Sequence, residues 1–444
     1  MVNKNEITVA IVGCGTVGGA TALLLTKDAG FLQQKTGLII KLKYIVDIDF
    51  THARELRIDA RLYEKNLDTV LEDKEVEILI ELIGGIDTAR QIIRAALKSG
   101  KHVVTANKAL LAHHGAELFG LARRNGVTLS FEASCAGGIP IVRALYDGLT
   151  ANRIDALYGI VNGTCNYILT EMIQKGQNYA EALSEAQKSG LAELDPTLDV
   201  SGMDSAHKLA ILAALAFGKK VELEAIPVQG IDTLELIDVK FGLELGYIVK
   251  LLAVAQRLED GISLRVRPAF ITREHPLAWV SGPFNAVSVY GHAVGHTMYY
   301  GRGAGGSPTS SAVVSDIISV ALGLNTSVFN HLKIWPDITE PARQVHSKHI
   351  KSRYYIRLMV VDKPGVFGQI AGILGQEEIS ISSVLQKETS EEGAEPVIVP
   401  VVITTHTTLE GKVEAALKKL KRLEPVVQKG VCINIVDEHE EILQ

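Results

Sequence analysis

The amino-acid sequence predicts an α/β protein of three units: a parallel sheet covered by helices, an α+β unit, and a small βαββαβ unit. Three observations support this. Strand-like runs alternate with helical patterns over the first third of the chain, the alternation stops near residue 140, and a different alternation begins near residue 353. A chain of 444 residues is long enough for two or three domains, each with its own core.

The composition excludes several classes of protein. The chain is 47% hydrophobic and 22% charged, and its net charge of −6 gives no reason to expect nucleic acid or an anionic membrane as a partner. Four cysteines without a CxxC pair favour a reducing cytoplasm. The start runs directly into a strand-like segment and no apolar run reaches transmembrane length, so we expect neither a signal peptide nor a membrane span. His292 and His296 lack a third partner, so no transition-metal site is expected.

A glycine-rich turn follows the first predicted strand, residues 7–12. The turn is GxGxxG and a helical stretch comes next, which is the context that this motif requires for binding a dinucleotide. Its backbone can approach a pyrophosphate, whose negative charge then faces the helix N-terminus. A glycine-rich turn without a ligand is the alternative. The predicted nucleotide-binding positions are Gly13, Gly15, Thr16, Val17 and Gly18.

A second strand, residues 42–46, ends at Asp47. An acid here would accept a hydrogen bond from a ribose 2′-hydroxyl, which favours NAD over NADP. The distance from Gly18 exceeds the usual interval of about 20 residues. Arg54 or Arg57 could instead reach a 2′-phosphate, so the choice between the two cofactors stays open.

Further alternation extends this unit. Since ligands bind beyond the carboxyl ends of strands in open α/β sheets, Thr105 and Lys108 are candidate site residues. A lysine at a helix start opposes the helix dipole, which favours a functional role, although a surface lysine also fits. The alternation predicts a doubly wound, Rossmann-type parallel sheet. Strands are predicted at 77–83, 102–105 and 127–132, and helices at 88–98 and 109–124.

Acidic residues precede an unusually apolar helix in the segment 190–218. Glu193 and Asp199 come first, and Asp204 and Lys208 then stand four residues apart, on one face of the helix. The following run is apolar on nearly every side, so the helix should be buried. A lysine at such a place needs a neutralising partner, which Asp204 can supply.

A structural interpretation of the same residues competes with the functional one. Ser201-x-x-Asp204 also fits a capping box, and an Asp–Lys pair at this spacing is more often a solvated surface pair. Spacing alone favours the structural interpretation. The apolar run after Lys208 and the acids before it shift the balance toward a functional site.

The rest of the middle unit carries one further candidate. The sequence predicts a helix at 243–258, and a glycine-rich loop at 301–311 precedes a helix expected near Ala312. A helix N-terminus after such a loop can face a phosphate or a carboxylate, so Gly303 and Gly305 are candidate cofactor-binding positions. A plain turn is again the alternative.

The C-terminal part of the chain predicts a ferredoxin-like βαββαβ unit. No cluster of acid, base or nucleophile candidates occurs there, so we expect it to take no part in a chemical step. Strands are expected at 354–361, 379–387, 396–404 and 431–436, with helices directly after Gly365 and at 409–420.

Six motifs span almost the whole chain. They are Gly13–Gly18, Glu81–Gly85, Thr105–Lys108, Glu132–Pro140, Gly163–Tyr167 and the segment from Asp195 to Lys208. In this order they closely resemble homoserine dehydrogenase. The C-terminal unit, with its Asp362-Lys-Pro-Gly365 turn, is similar to an ACT domain, a module that binds amino acids.

This resemblance implies an NAD(P)-dependent enzyme that interconverts L-homoserine and L-aspartate 4-semialdehyde, in threonine, methionine and isoleucine biosynthesis. It implies that Lys208 donates a proton and that Lys108 lies between nicotinamide and substrate. Glu193, Asp199 and Asp204 would hold the substrate's amino end. The chemistry agrees, because a cation stabilises and protonates the oxygen of an aldehyde under reduction, while carboxylates pair with an ammonium group.

The resemblance also implies partners. A monovalent cation, commonly sodium, would bind backbone oxygens of Glu132, Cys135, Gly137 and Ile139. Threonine would act as a feedback inhibitor at the C-terminal unit, and the chain would form a homo-oligomer, a dimer or a tetramer. Two alternatives are a non-catalytic amino-acid sensor on the same scaffold and another NAD(P)-dependent reductase of an amino-acid carbonyl.

The expected domain bounds follow from these patterns. A nucleotide-binding domain takes residues 1–139, with a helix from about 310–340 packing back on it. A substrate-binding and dimerisation domain takes 140–309, a linker 340–352, and the ACT-like regulatory domain 353–437.

Overall fold

A computed structural model describes residues 5–387, 397–428 and 430–440 of the protein. From β1 to β16, the strands of this part are Glu6–Val12, Ile39–Val46, Tyr63–Glu64, Val76–Glu81, His102–Thr105, Leu129–Ser130, Ile154–Ile160, Tyr247–Leu258, Gly261–Thr272, Phe284–Gly291, Gly295–Arg302, Lys351–Val361, Ile381–Gln386, Ile398–Thr405, Thr408–Leu409 and Val431–Ile435. From α1 to α16, the α-helices are Thr16–Lys27, Ala29–Thr36, Thr51–Glu55, Leu67–Glu72, Asp87–Lys98, Lys108–Arg124, Ile141–Arg143, Gly163–Lys175, Tyr179–Lys188, Thr197–Val200, Met203–Phe217, Leu236–Glu244, Gly306–Ala321, Leu324–His331, Val366–Gln376 and Glu410–Leu420.

Six parallel strands form the N-terminal sheet, in the order β3-β2-β1-β4-β5-β6. Its central strands are apolar on both faces, so helices must cover both faces. Helices α1 and α13 pack on the face of Val9 and Ile11, whereas α5 and α6 pack on the face of Ala10 and Leu79. The predicted doubly wound α/β architecture is confirmed.

The rest of the molecule contains a mixed sheet of ten strands. Nine of them follow the path β11-β10-β7-β8-β9-β16-β12-β14-β13, and β15 pairs with β12 beside this path. Helix α11 packs against β7, β8 and β9. This sheet therefore supports the helix that carries Asp204 and Lys208, while the N-terminal sheet supports Lys108 at the start of α6.

The helix predicted at 243–258 is wrong. This segment contains strand β8, which pairs antiparallel with β9 up to Leu258 opposite Gly261. Glu259 and Asp260 form the two-residue loop between them. Since β8 lies inside the sheet and is buried on both faces over most of its length, its apolar run has no period of two and resembles a buried helix.

Two predicted helix starts are also wrong. Helix α13 begins at Gly306 and not near Ala312, so the glycine-rich loop is shorter than expected. The predicted capping box at Ser201-x-x-Asp204 is absent, because the N-cap of α11 is Gly202, with φ +86° and no side-chain cap. The acid at Asp204 is therefore free to bind other groups.

The C-terminal unit has the predicted ferredoxin-like topology. Its strands run antiparallel in the order β16-β12-β14-β13, and α15 and α16 cover one face. Ile356 and Leu358 point toward these helices, while the alternate residues of β12, Tyr355 and Arg357, face α12.

This unit is joined to the middle of the chain by backbone pairing and by a buried ion pair. Strand β16 pairs parallel with β9, so that Asn434 lies opposite Ala269. Arg357 donates to both oxygens of Asp238 at 2.6 and 2.9 Å, and the Tyr355 hydroxyl donates to the same carboxylate at 2.8 Å. The sheet therefore crosses the boundary between the two units.

No single helix of the described residues is long and apolar enough to cross a membrane. Helices α13 and α14 pass that test only together, and they are bent by 82° at their junction. Within the same ranges, no three His, Cys, Asp or Glu side chains are grouped so that they could hold a metal ion.

Candidate active site

Lys208 lies inside the molecule and is held by two oxygen atoms. Helix α11 is buried over almost its whole length, as its sequence predicts, and Lys208 is 8% exposed. Its Nζ donates to Asp204 Oδ2 at 2.7 Å and to the carbonyl of Val161 at 2.6 Å. The Asp–Lys pair is therefore buried, unlike the solvated pairs common at this spacing.

Lys108, at the start of α6 on the N-terminal sheet, approaches the same carboxylate. Its Nζ lies 3.1 Å from Asp204 Oδ1, so one carboxylate serves two ammonium groups. Burial disfavours the charge of Asp204, but Lys208 and Lys108 outweigh burial and lower the pKa of Asp204. Burial also disfavours the charge of Lys108, yet attraction by Asp204 raises the pKa of Lys108. Both groups are thus charged at neutral pH.

Asn162 is a site residue that sequence reasoning did not single out. Its Oδ1 caps α8 by accepting from the backbone N–H of Cys165 at 2.8 Å. Its Nδ2 donates to Asp199 at 2.7 Å and to Asp204 at 2.8 Å, which fixes the two acids next to each other. Burial and then repulsion by Asp204 raise the pKa of Asp199. In the sequence, Asn162 is only a residue of a helix-capping type directly before the Gly163–Tyr167 motif.

Glu193 lies apart from this cluster. It is on an exposed loop before α10, where its backbone carbonyl accepts a hydrogen bond from Gln187 at 3.1 Å. Its carboxylate forms no ion pair with the described residues. Among the predicted substrate-binding residues, the structure brings Asp199, Asp204 and Lys108 together, and it leaves Glu193 at the surface.

The three glycines of the first loop differ in how closely other atoms surround them. Gly13 has φ +97°, and a Cβ there would lie 2.8 Å from the carbonyl carbon of Leu82. A Cβ at Gly18 would lie 1.9 Å from the carbonyl oxygen of Gly13. In contrast, nothing lies within 4 Å of the Cβ position of Gly15. The loop is thus closely packed inside and open outside, which suits a pyrophosphate against the N-terminus of α1.

A cavity of about 400 Å³ adjoins this loop, and Gly15 and Asp47 form part of its wall. The Asp47 carboxylate accepts the backbone N–H of Cys14 at 2.5 Å and that of Ile48 at 2.7 Å. These bonds hold the acid at the end of β2, where the sequence predicted it. The cavity is large enough for part of a nucleotide.

Lys65 lines the same cavity, whereas Arg54 and Arg57 do not. Lys65 follows β3, a strand of only two residues, which gives no periodic signal in the sequence. Lys65 is therefore the cation that can reach a nucleotide phosphate or ribose at this wall, instead of the predicted Arg54 or Arg57.

Thr105 connects two loops at the carboxyl end of the N-terminal sheet. Its hydroxyl donates to Glu81 at 2.6 Å, and Glu81 accepts the backbone N–H of Ile83 at 3.0 Å. Asn107 donates to the carbonyl of Gly85 at 2.7 Å and caps α6. Burial raises the pKa of Glu81. This network positions the start of α6 and hence Lys108.

The second glycine-rich loop places the N-terminus of α13 against that of α1. A Cβ at Gly306 would lie 3.1 Å from the carbonyl oxygen of Thr16, and Gly305 has φ +114°. Gly303 packs closely against Asn285, which in turn donates to the carbonyl of Val161 at 3.0 Å. The loop therefore connects the nucleotide-binding loop with the oxygen that holds Lys208.

The predicted cation-binding stretch is a tight turn after β6. Ala136 has φ +52°, a left-handed conformation that is uncommon outside glycine. Within the described part of the chain, no backbone N–H donates to the carbonyls of Cys135 and Gly137, whereas the carbonyl of Ile139 accepts from Ile141 at 2.8 Å. The Glu132 carboxylate caps α7. Two of the four carbonyls are thus without backbone donors, and carbonyl oxygens suit a hard cation.

Taken together, the site combines two cations with two acids beside a nucleotide-type loop. Asp204 neutralises one positive charge, so Lys108 and Lys208 can stabilise negative charge that develops on a nearby oxygen. A buried ammonium is also a proton donor, and an acid such as Asp199 can bind a substrate ammonium. The arrangement suits the reduction of the carbonyl group of an amino acid.

Most of the chain matches models of known protein families. Residues 13–132 match the family model described as the NAD binding domain of homoserine dehydrogenase. Residues 140–318 match the model described as homoserine dehydrogenase, and residues 354–425 match the ACT domain. The matched segments contain Asp47, Lys108, Asp204 and Lys208.

Individual relatives match most or nearly all of the chain. The chain is 41% identical to the homoserine dehydrogenase of Pseudomonas aeruginosa, covering 97% of this chain and 98% of the relative. Identity to that of Neisseria gonorrhoeae is 40%, covering 98% and 99%. A crystal structure of a homoserine dehydrogenase from Thiobacillus denitrificans superposes with a TM-score of 0.91 at 42% identity, covering 97% and 98%. A hyperthermophilic archaeal homoserine dehydrogenase solved with NADPH matches 71% of this chain and 98% of its own, at 26% identity and a TM-score of 0.60.

Proposed function

The chain belongs to the homoserine dehydrogenase family of NAD(P)-dependent oxidoreductases, and on this premise we propose a role for each residue of the lysine–aspartate site. Lys208 donates the proton to the aldehyde oxygen of L-aspartate 4-semialdehyde as L-homoserine forms. Lys108 would lie between the nicotinamide and the substrate when both are bound. The observation that carries this proposal is the pair of ammonium groups sharing the single carboxylate of Asp204.

Lys208 acts as the proton donor because it is fixed and shielded from water. Asp204 and the carbonyl of Val161 hold two of its three N–H bonds, which leaves the third for the substrate oxygen. The negative charge that develops on that oxygen is stabilised by the cation before the proton moves. In the reverse direction, neutral Lys208 accepts the hydroxyl proton of homoserine.

The acids bind the substrate's amino end. Asp199 and Asp204 are held side by side by Asn162, and a substrate ammonium offers the positive charge that relieves their repulsion. Glu193 would join them only if its loop closed over the substrate, since its carboxylate is exposed in this structure.

The dinucleotide would bind at the carboxyl edge of the N-terminal sheet, and it would supply the hydride. Gly13, Gly15, Thr16, Val17 and Gly18 would hold the pyrophosphate, and Gly303, Gly305 and Thr105 are proposed as further cofactor-binding positions. The open space at Gly15 supports this assignment. Asp47 favours an unmodified ribose and Lys65 favours a 2′-phosphate, so NADH and NADPH must be compared directly.

A monovalent cation, sodium in the simplest case, binds backbone oxygens of Glu132, Cys135, Gly137 and Ile139 in this proposal. It would stabilise the turn that precedes α7 and leave the chemical step to the lysines. The carbonyls of Cys135 and Gly137 support the site, since no backbone N–H of the described residues uses them. A rise in thermal stability in sodium chloride, absent in tetramethylammonium chloride of equal ionic strength, tests it.

Threonine is the proposed effector, and the ACT-like domain at 353–437 is its proposed receptor. We further propose that the enzyme works in the cytoplasm as a homo-oligomer, in the pathway to threonine, methionine and isoleucine. Replacing Asp362 in the Asp362-Lys-Pro-Gly365 turn by alanine should weaken threonine inhibition without changing basal turnover. Exposed Asp68 in the N-terminal domain is the matched control, and an equal effect of D68A and D362A would contradict the assignment.

The decisive assay of the proposal measures oxidation of NADH and of NADPH by the full chain with L-aspartate 4-semialdehyde. Turnover that depends on this substrate, and that is lost in K208A with nucleotide affinity retained, supports the assigned roles. Full activity of K208A would refute them. A chain that binds nucleotide and threonine but turns nothing over would favour the alternative of a non-catalytic sensor.

A further inference from the structure

A second polar cavity lies at the junction between the middle sheet and the C-terminal unit, away from the lysine–aspartate site. Its volume is about 360 Å³, within the range of pockets for small molecules, which often form at domain boundaries. Tyr158 of β7, Gln256 of β8 and Arg265 of β9 form its floor, and residues 435–440 form one wall.

Arg265 is a buried cation without an acid. It is 5% exposed, and its guanidinium donates to two neutral oxygens, Ser263 Oγ and Gln256 Oε1, each at 3.0 Å. Among the described residues, it forms no ion pair. A charged group is normally buried only with a partner of opposite charge, because its desolvation is otherwise uncompensated.

Two neighbouring arginines at this junction are each paired with a carboxylate. Arg267, two residues along the same strand, pairs with Glu410 at 3.0 Å, and Arg357 pairs with Asp238. Glu410 attracts Arg265 only at longer range. Arg265 and Arg357 are therefore both buried in this region and Arg267 is partly buried, and only Arg265 lacks a carboxylate partner among the described residues.

Gln256 forms hydrogen bonds with both Arg265 and Tyr158, the two donor side chains that line this cavity. Its Oε1 accepts from Arg265, and its Nε2 donates to the Tyr158 hydroxyl at 2.8 Å. Burial raises the pKa of Tyr158 to about 12, so the hydroxyl keeps its proton at neutral pH. That hydroxyl donates to none of the described residues. A guanidinium and a hydroxyl, both already fixed by one amide, are thus available to a single acceptor.

We propose that this cavity is a binding site for a small organic carboxylate, whose carboxylate group pairs with Arg265 and accepts a hydrogen bond from Tyr158. The planar fork of arginine fits a carboxylate better than a point charge would. The ligand would touch the mixed sheet and residues 435–440 at once, so its binding stabilises the contact between the two units. This site is separate from the proposed catalytic centre and from the Asp362–Gly365 turn.

Calorimetric titration of the full chain at constant ionic strength tests this proposal, with acetate, succinate and glycine as the carboxylate probes. Acetamide is the uncharged counterpart and inorganic phosphate is an anion of another shape. We expect saturable binding of at least one carboxylate, none of acetamide, and weaker binding of phosphate. No saturable binding of any carboxylate at millimolar concentrations, or phosphate binding as tightly, would overturn the proposal.

Variants assign the binding to the two donors. Arg265→Met keeps the volume and should weaken binding by more than about tenfold, and Tyr158→Phe by about three- to tenfold. Lys351→Met, which removes an exposed charge at the rim of the same cavity, is the control and should change little. If R265M does not fold, Y158F alone decides, because it removes one hydroxyl only. Unchanged affinity in Y158F, or a change of oligomeric state in either variant, would show that the cavity does not serve a carboxylate.

Discussion

Two buried carboxylates of this protein bind cations in different ways, and the difference separates a reactive site from a structural one. Asp238 accepts two bonds from Arg357 and one from Tyr355, and Arg357 also pairs with Glu235 at 3.0 Å, so this one cation has two acids. Asp204 serves two lysines, and neither lysine has a carboxylate of its own. The fully paired Arg357 and Asp238 hold two domains together. The two lysines share the single carboxylate of Asp204, so positive charge stays available to a ligand.

The largest effect should come from removing the proton donor. Lys208→Ala should lower kcat by about 10²–10⁴-fold, since a positioned general acid contributes that much. Steady-state kinetics with dissociation constants for the dinucleotide check this. Lys188→Ala, which removes an exposed lysine at the end of α9, is the matched control. Comparable losses in both variants would mean that Lys208 has no special role.

Breaking the Arg357–Asp238 pair should lower the stability of the fold and leave catalysis unchanged. Arg357→Met leaves Asp238 buried without its cation, which should lower the free energy of unfolding by about 3–5 kcal/mol. Denaturant unfolding measures it, and kcat should be unchanged at temperatures where the variant is folded. The double variant with Asp238→Leu should recover most of the loss. Arg353→Met, which breaks a partly exposed pair with Asp437, should cost no more than about 1 kcal/mol.

The amide that holds the two acids offers a smaller and more specific test. Asn162→Ala should lower kcat/KM by about tenfold, because Asp199 and Asp204 lose the donor between them. It also removes the cap of α8, which should cost about 1 kcal/mol of stability. Asn178→Ala removes the cap of α9, far from the site, and should reproduce the stability loss alone. Equal kinetics in the two variants would remove Asn162 from the site.

The smallest effect concerns Lys250, a buried cation that forms no ion pair with the described residues. Lys250 donates to the carbonyl of Val280 and to Asn166, and burial lowers the pKa of Lys250 to about 8. Between that pH and about 10.4, the unfolded chain binds a proton that the folded chain does not. The free energy of unfolding should therefore rise with pH across this window, relative to Lys250→Met. A flat difference between wild type and K250M would contradict the shift.

The sequence could predict those parts of the site that rest on local geometry. The strand–glycine–helix order placed the loop at Gly13–Gly18, because close backbone approach requires glycine. The four-residue spacing placed Lys208 beside Asp204, since a helix brings such residues together. Both predictions depend on contacts within a few residues along the chain.

Contacts between distant segments could not be predicted in this way. Nothing near Asn162 in the sequence shows that its Nδ2 donates to Asp199 and Asp204, because these contacts form only in the folded protein. The pairing of β8 with β7 and β9 decides that its apolar run is a strand, and nothing within the run shows it. Lys65 follows a strand too short to give a pattern.

The parallel pairing of β16 with β9 also bears on how the molecule is made. The edge of β9 that β16 covers stays unpaired until a strand from much later in the chain has been synthesised. An uncovered strand edge can recruit other chains, and such distant pairings close slowly. Aggregation during expression should therefore increase with the time for which this edge stays uncovered.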